Sequence, residues 1–461
     1  MNKLNLMFKQ CDKFALVMPR FMDDFMIDDV FASIVPDIVS RKIFIEQLKT
    51  PLIDKNDIIY RQELIYEFIN CPTLFEQFKD VVKKIQAFQK ECRESNKTNA
   101  NLYSYDELAR FRSIVQIKAI TLEKLIFLIF AMKKVLKDYT PCSKALSDFK
   151  SILNTLFADS LLNDILEVCN TYENIQLNKI FNIYIKLNLR ASVECCVLLS
   201  VDEKNKSNQG KMLKKAYLSP SVKSEILLTA FRNISDFFSK TTSVIIDSFS
   251  DLYNQVIFYD VCLRYYYFFK KLGKKLIFPT FESNKDIVFD DLYDLKLATQ
   301  FSTISNIIPN NFHMNSNGII VFGKNGNGKT VYLRSIAIAQ LLSQSGLPIL
   351  ASKASTHVFL EFCSHCVGKE NDIANMGRFE QEVVQFSQIV ENASSESFVL
   401  MNEPFQSTEY NEGAEGLINI LEYFKHKKIQ WIIVSHLHKL EEHFHNSEVK
   451  ILHAGEDHKI I

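Results

Sequence analysis

Apolar residues at Leu227, Ala230, Phe231, Ile234, Phe237 and Phe238 recur at spacings of three and four, the repeat of an amphipathic helix. Neither Gly nor Pro occurs between Thr73 and Thr140, or between Ser221 and Leu272, so these stretches predict long helices. Further along, the pattern changes to short apolar runs rich in β-branched residues. Ile319-Ile320-Val321-Phe322, Ser397-Phe398-Val399-Leu400-Met401 and Trp431-Ile432-Ile433-Val434 read as buried strands. Val331 to Ser345 reads as a helix with Leu333, Ile336, Ala337 and Leu341 on one apolar face and Arg334 to the side. Ten of the twelve glycines lie between Gly318 and Gly455, only Gly210 and Gly273 preceding them. The expected fold class is therefore α + α/β: an all-helical region over residues 1–284, with room for two subdomains, followed by an α/β domain over 285–461.

Composition adds little to that division, and charge only slightly more. The 461 residues carry 54 basic and 54 acidic side chains, enough chain for about two to four domains with real cores. From Asp291 onward there are 13 Lys+Arg and 19 Asp+Glu, a net of −6, leaving +6 for the first 290 residues. A polyanion contact thus belongs more naturally to the N-terminal region. Ten cysteines and no secretory signal point to a reducing, cytoplasmic setting. No run of about 18 apolar residues offers a membrane span. Cys363-Ser364-His365-Cys366 lacks a second pair at zinc-site spacing, and His436/His438 and His443/His445 lack a fixed partner, so no transition metal is assigned. The basic stretch within residues 202–215 (KNKSNQGKMLKK, Lys204 to Lys215) reads as a mobile, solvated connector. In Arg264-Tyr265-Tyr266-Tyr267-Phe268-Phe269-Lys270-Lys271, five consecutive aromatics cannot share one helix face, and core packing is favoured over base stacking.

The chemistry concentrates at Gly323-Lys324-Asn325-Gly326-Asn327-Gly328-Lys329-Thr330, which fits G-x-x-x-x-G-K-[ST] at every required position. A strand precedes it and a helix follows, the context in which glycines let backbone N–H groups wrap phosphates at a positive helix end. Gly323, Asn325, Gly326, Asn327 and Gly328 form the cradle. Lys329 reaches β- and γ-phosphates, and Thr330 binds Mg²⁺. The chain is expected to bind a nucleoside triphosphate. The second strand ends in Asn402-Glu403, placing Glu403 to orient the attacking water and Asn402 near the metal as a neutral acceptor. The third ends in Ser435-His436, with His436 placed to read a γ-phosphate.

Those residues, together with Val367-Gly368-Lys369-Glu370-Asn371-Asp372-Ile373-Ala374, Phe379, Glu382, Ser407-Thr408 and Gly413, resemble the MutS ATPase domain over about 170 residues. More loosely, Tyr60-Arg61-Gln62-Glu63 and the stretch through Phe278-Pro279 resemble the family's helical core and lever region. The resemblance implies an ABC-type P-loop ATPase with ATP and Mg²⁺ as cofactors, coupled through long helices to DNA, in DNA repair or recombination. It also implies a homodimer in which each ATPase domain completes the other's site through the segment before Phe379.

Departures from the family pattern shape the expectation. Gly377 stands where the family usually has a serine reaching the partner's nucleotide, with Arg378 beside it as a substitute, and Asn402 stands in place of Asp. The chain begins directly in helical sequence, leaving no room for a mismatch-reading N-terminal domain. The space near Ser200 to Pro220 is too short for a full clamp, and no dimerisation segment follows the ATPase domain. The expected function is an ATP-hydrolysing protein that couples dimerisation of its ATPase domains to binding of duplex, mismatched or branched DNA. The alternative is a nucleotide-gated protein–protein adaptor with weak hydrolysis.

Overall fold

Helix forms where glycine and proline are scarce, and the longest helices fall in the two stretches that lack both. The computed structural model describes residues 4–7, 13–98, 107–173, 180–187, 193–202, 220–282, 284–301, 307–366, 378–406 and 408–461. The chain forms two compact units, each assembled from separated segments. One comprises Met1–Asn5, Pro72–Pro141 and Leu146–Tyr253; the other comprises Leu6–Cys71, Cys142–Ala145 and Asn254–Ile461.

In the first unit, helices Pro72–Thr98, Glu107–Lys137, Asp159–Glu173 and Pro220–Ser248 supply the frame. Helix Glu107–Lys137 buries Val115, Ala119, Leu122, Ile126, Ile129 and Leu136, a stripe at three- and four-residue spacing. Aromatic pairs knit the unit together: Phe78 meets Phe149 edge-on at 5.4 Å, and Phe157 stacks on Phe249, each just past a helix end, at 5.5 Å. This part is not all-helical, contrary to the expectation from glycine and proline spacing. Strands Ile180–Leu187 and Val193–Asp202 pair antiparallel. Their β-branched and aromatic content, Ile180-Phe181 and Ile183-Tyr184-Ile185 against Val193 and Val197, favours a pleated surface. Residues 203–219, which hold most of the basic stretch, lie outside the described residues.

In the second unit, six strands form one parallel sheet in the order Leu16–Val17, Glu361–Cys366, Ser397–Asn402, Gln430–Val434, Gly318–Phe322 and Lys450–His453. Parallel strands are covered on both faces, and Gly318–Phe322 and Gln430–Val434 are buried throughout. A smaller sheet runs Thr280–Phe281, Lys353–Thr356, Ile287–Leu292, Asn310–Met314, its first pair parallel and the others antiparallel. Acidic caps start several helices: Asp54 accepts from the backbone of Asn56 and Asp57 ahead of Lys55–Asn70, and Glu409 does the same for Tyr410–His426.

From Ser335 to its end, helix Lys329–Gln344 is buried on every side rather than on one face. Its interior polar groups are therefore bonded. The Gln344 amide donates to the carbonyls of Leu52 and Phe359 and accepts from Phe359 N, while Gln340 donates to His357 O. Arg334 forms a two-pronged ion pair with buried Asp294, at 2.8 and 2.7 Å. At the far end, Arg61, 1% exposed, donates to Ser345 O at 3.0 Å and lies over the Phe258 ring. Gln62 donates to Pro279 O at 3.1 Å, so the Tyr60–Glu63 stretch and Phe278-Pro279 meet. From the aromatic run, Tyr265 and Phe269 lie in the core, their rings edge-on at 5.3 Å.

Gly318 lies against the sole tryptophan, Trp431: a Cβ there would stand 2.2 Å from the ring. Gly318→Ala is expected to cost about 1–3 kcal/mol through overpacking, read as a lower urea midpoint in Trp431 fluorescence. An unchanged midpoint would show that the ring yields to the methyl without cost. On the strand Glu361–Cys366, His365 is 2% exposed and neither ring nitrogen has a hydrogen-bond partner. Burial, aided by Arg20, pushes its pKa down to about 4. Because the folded pKa lies below the unfolded one, unfolding takes up a proton as pH falls below about 6.5. Stability is expected to decline between roughly pH 6.5 and 4, by on the order of 1 kcal/mol at pH 5.5 from this residue. His365→Leu should flatten that decline in thermal melts across pH; an equally steep curve would assign it to other groups.

Candidate functional site

Parallel pairing brings the carboxyl ends of three neighbouring strands to one edge of the sheet. Val321 pairs with Val434, and Val434 with Asn402, so the segments that leave these strands emerge side by side. Gly318–Phe322 feeds the glycine loop, Ser397–Asn402 delivers Asn402 and Glu403, and Gln430–Val434 delivers Ser435 and His436. The sequence-assigned residues are brought together here.

The loop needs glycine for two physical reasons. Gly326 and Gly328 have φ of 89° and 87°, the left-handed region that penalises a Cβ, and Gly323 sits where a Cβ would approach that of Ala454 to 2.8 Å. Asn325 and Gly326 are exposed at the tip. The Asn327 side chain turns away from the cradle and donates to Ala454 O at 2.9 Å, while Ala454 N donates to Phe322 O. The segment after strand Lys450–His453 thus buttresses the loop. Gly328 caps helix Lys329–Gln344 without any side-chain bond. The first-turn amides point out of the helix end, as at any helix start, with the positive end of the dipole behind them. That is a surface suited to an anion.

Lys329 is almost fully buried, and its ammonium donates to the carbonyls of Gly323 and Lys324 at 2.8 and 3.0 Å. Burial lowers its pKa, and Glu403, whose Oε1 lies 3.9 Å away, opposes the shift. Glu403 has φ of 53°, left-handed for a residue with a Cβ. Its N–H donates to Val434 O at 2.8 Å, and its Oε2 accepts from the Gln406 amide. His436 Nε2 stands 2.8 Å from Glu403 Oε1 but is not aligned as a hydrogen bond. Lys329, Glu403 and His436 therefore form one cluster around a single carboxylate.

Thr330 Oγ1 donates to Asn402 Oδ1 at 3.1 Å. Adjacent ligands of an octahedral Mg²⁺, each about 2.0–2.1 Å from the metal, lie about 2.9 Å apart, so the two oxygens fit a shared ion. Both are neutral, and Asn402 supplies no charge to that ion. The other metal candidates separate. Cys363 and Cys366 are three apart on a strand, so their side chains face opposite sides of the sheet, and burial pushes the Cys363 thiol up to about 12. His443 pairs with Glu422 and His438 with Glu441.

Sequence reasoning left several contributors without a role. Gln406 braces Glu403 from three residues downstream, and Glu382 accepts from Phe405 N. The first contact joins two side chains and the second reaches a backbone N–H, and no motif spacing announces either. Gly377, Val367–Ala374 and Ser407 lie outside the described residues; Arg378 opens the helix Arg378–Asn392, and Phe379 lies in its first turn.

Residues 319–459 match the sequence model of MutS domain V. An Endonuclease MutS2 of Streptococcus mutans is 31% identical over 148 residues, 32% of this chain and 19% of the relative. Another from Streptococcus sanguinis is 32% identical over the same length, and one from Streptococcus thermophilus is 30% identical over 169 residues, 36% of this chain and 21% of that protein. The matched part thus spans about a fifth of the length of these curated relatives. Among the described residues no helix is long and apolar enough to cross a membrane. The likeness to the MutS family is carried by residues 319–459, which hold the glycine loop, Glu403 and His436.

Proposed function

We propose that this protein binds and hydrolyses ATP, and that closure of two ATPase domains, each spanning residues 285–461, is coupled to its grip on DNA by the helical core and lever region of residues 1–284. The protein then acts as a cytoplasmic, DNA-associated homodimer. The observation that carries the reading is the convergence of Lys329, Glu403 and His436 beside a glycine-loop helix start, with Thr330 bonded to Asn402.

Each residue then has a task. Gly323, Asn325, Gly326, Asn327 and Gly328 present backbone amides to the phosphates. The Lys329 ammonium exchanges its carbonyl contacts for β- and γ-phosphate oxygens, a strong interaction because the group is already removed from water. Thr330 and Asn402 hold Mg²⁺, partly through water, and the bound metal neutralises charge on the phosphates. Glu403, released from His436 or shared with it, accepts a hydrogen bond from the attacking water and orients it for in-line attack. His436 donates toward the γ-phosphate and so distinguishes a triphosphate from a diphosphate. The +6 charge of the first 290 residues favours placing the polyanion contact there.

One observation supports a second reading. Asn402 is neutral at a position beside the metal, which weakens metal binding and with it hydrolysis, as suits a nucleotide-gated adaptor between proteins. The name Endonuclease carried by the curated relatives describes those proteins, of which about a fifth is matched.

Glu403→Gln is expected to retain nucleotide binding while lowering steady-state ATP turnover by about 10²-fold or more; turnover at the wild-type rate would remove Glu403 from the chemistry. Lys329→Ala should lose both and serves as the blank. Turnover measured with duplex, mismatched and branched DNA should change with at least one form. DNA affinity should also fall steeply between about 50 and 200 mM salt as counterion release predicts. Indifference to every DNA would favour the adaptor.

A further inference from the structure

After strand Ser397–Asn402 the backbone passes through two left-handed residues, Glu403 at φ 53° and Phe405 at φ 60°. Neither is glycine, so the surrounding structure must hold the turn in a conformation that residues with a Cβ disfavour. One hold comes from the sheet, where Glu403 N donates to Val434 O at 2.8 Å. The other comes from helix Arg378–Asn392. Glu382, 8% exposed, accepts from Phe405 N at 2.6 Å, a short, charge-assisted bond. One helical turn on, Phe386 stacks on the Phe405 ring at 4.7 Å with the planes 20° apart. The helix thus grips the turn twice from one face, by a carboxylate on the backbone and by a ring on a ring. Beyond the Phe405 ring lies an apolar cavity of about 340 Å³, walled by Val383, Gly413 and Gly416. At Gly416 a Cβ would meet nothing within 4 Å. The turn therefore has space to relax into once the grip is lost.

We infer that Glu382 is a positioning residue for ATP hydrolysis: its buried carboxylate fixes the Glu403–Phe405 turn and so aims the Glu403 side chain at the attacking water. This rests on the role proposed for Glu403. Glu382 reaches the backbone of Phe405, two residues after Glu403 in the same turn, so it acts on the orientation of Glu403. Helix Arg378–Asn392 thereby becomes a control on catalysis, since a shift of its first turns moves the hydrogen-bond acceptor under Phe405.

The experiment is a double-mutant cycle on the full chain, with turnover, ATP affinity and Trp431 fluorescence measured for each variant. Glu382→Ala is expected to lower kcat roughly tenfold or more while KM and nucleotide binding stay within about threefold. Glu382→Gln, whose amide oxygen still accepts from Phe405 N, should recover most of the lost rate. In a Glu403→Gln background, Glu382→Ala should cost nothing further, because its effect passes through Glu403. If Glu382→Ala does not give the folded fluorescence spectrum, Glu382→Asp, which withdraws the acceptor by one methylene, takes its place with the same expectations. Unchanged kcat, a loss shared equally by nucleotide binding, or an undiminished loss in the Glu403→Gln background would each overturn the inference. Failure of the reading beneath it is distinguishable, since Glu403→Gln alone would then turn over ATP at the wild-type rate.

Discussion

A helical stretch buried on all sides cannot leave a polar side chain unbonded, and that requirement, acting on residues 335–344, governs the position of Lys329–Gln344 in its unit. Gln344 makes three bonds to the backbone of Leu52 and Phe359, and Gln340 reaches His357, so the C-terminal half is fixed along its axis. The paired contacts of Arg334 with Asp294 fix its rotation. Slide the helix by one residue and every one of these bonds breaks. The helix N-terminus is the floor of the glycine loop, so the polar network at one end sets where phosphate-binding amides stand at the other.

The sheet supplies the second constraint. Because its strands run parallel, the chemistry-bearing ends of three of them share one edge, and the register matches Val321, Val434 and Asn402 across it. Neighbouring strands stand only about 4.8 Å apart, which suffices to bring a carboxylate, an imidazole and an ammonium into one cluster. The same closeness explains why Glu403 needs an unfavourable φ. An extended residue there would carry the side chain onward along the strand rather than across toward His436 and Lys329.

Much of this was legible in the residues. Ile319–Phe322, Ser397–Met401 and Trp431–Val434 are apolar runs too short for helices, and all three proved to be strands, one residue longer at an end. The long helices followed from missing glycine and proline. What was not legible depends on partners distant in sequence. Ile180–Leu187 and Val193–Asp202 carry β-favouring side chains inside a helical neighbourhood, where a period-two pattern over so few residues is easily read as helix. The two-residue strand Leu16–Val17 has no pattern at all; it exists because Glu361 and Phe362 offer a sheet edge. The all-round burial of residues 335–344 was hidden because Gln340, Ser343 and Gln344 look like a solvent face until their partners are known.

That two-residue strand has a consequence for how the molecule is made. Leu16 and Val17 leave the ribosome long before Glu361 and Phe362, and the whole of Pro72–Pro141 and Leu146–Tyr253 is synthesised between them. The strand Leu16–Val17 therefore waits, unpaired, while the segments of another unit are made in the interval. Closing so long a loop is slow and leaves apolar strand surface uncovered meanwhile. The helix-rich first unit can thus be complete while the sheet of the other is still being synthesised.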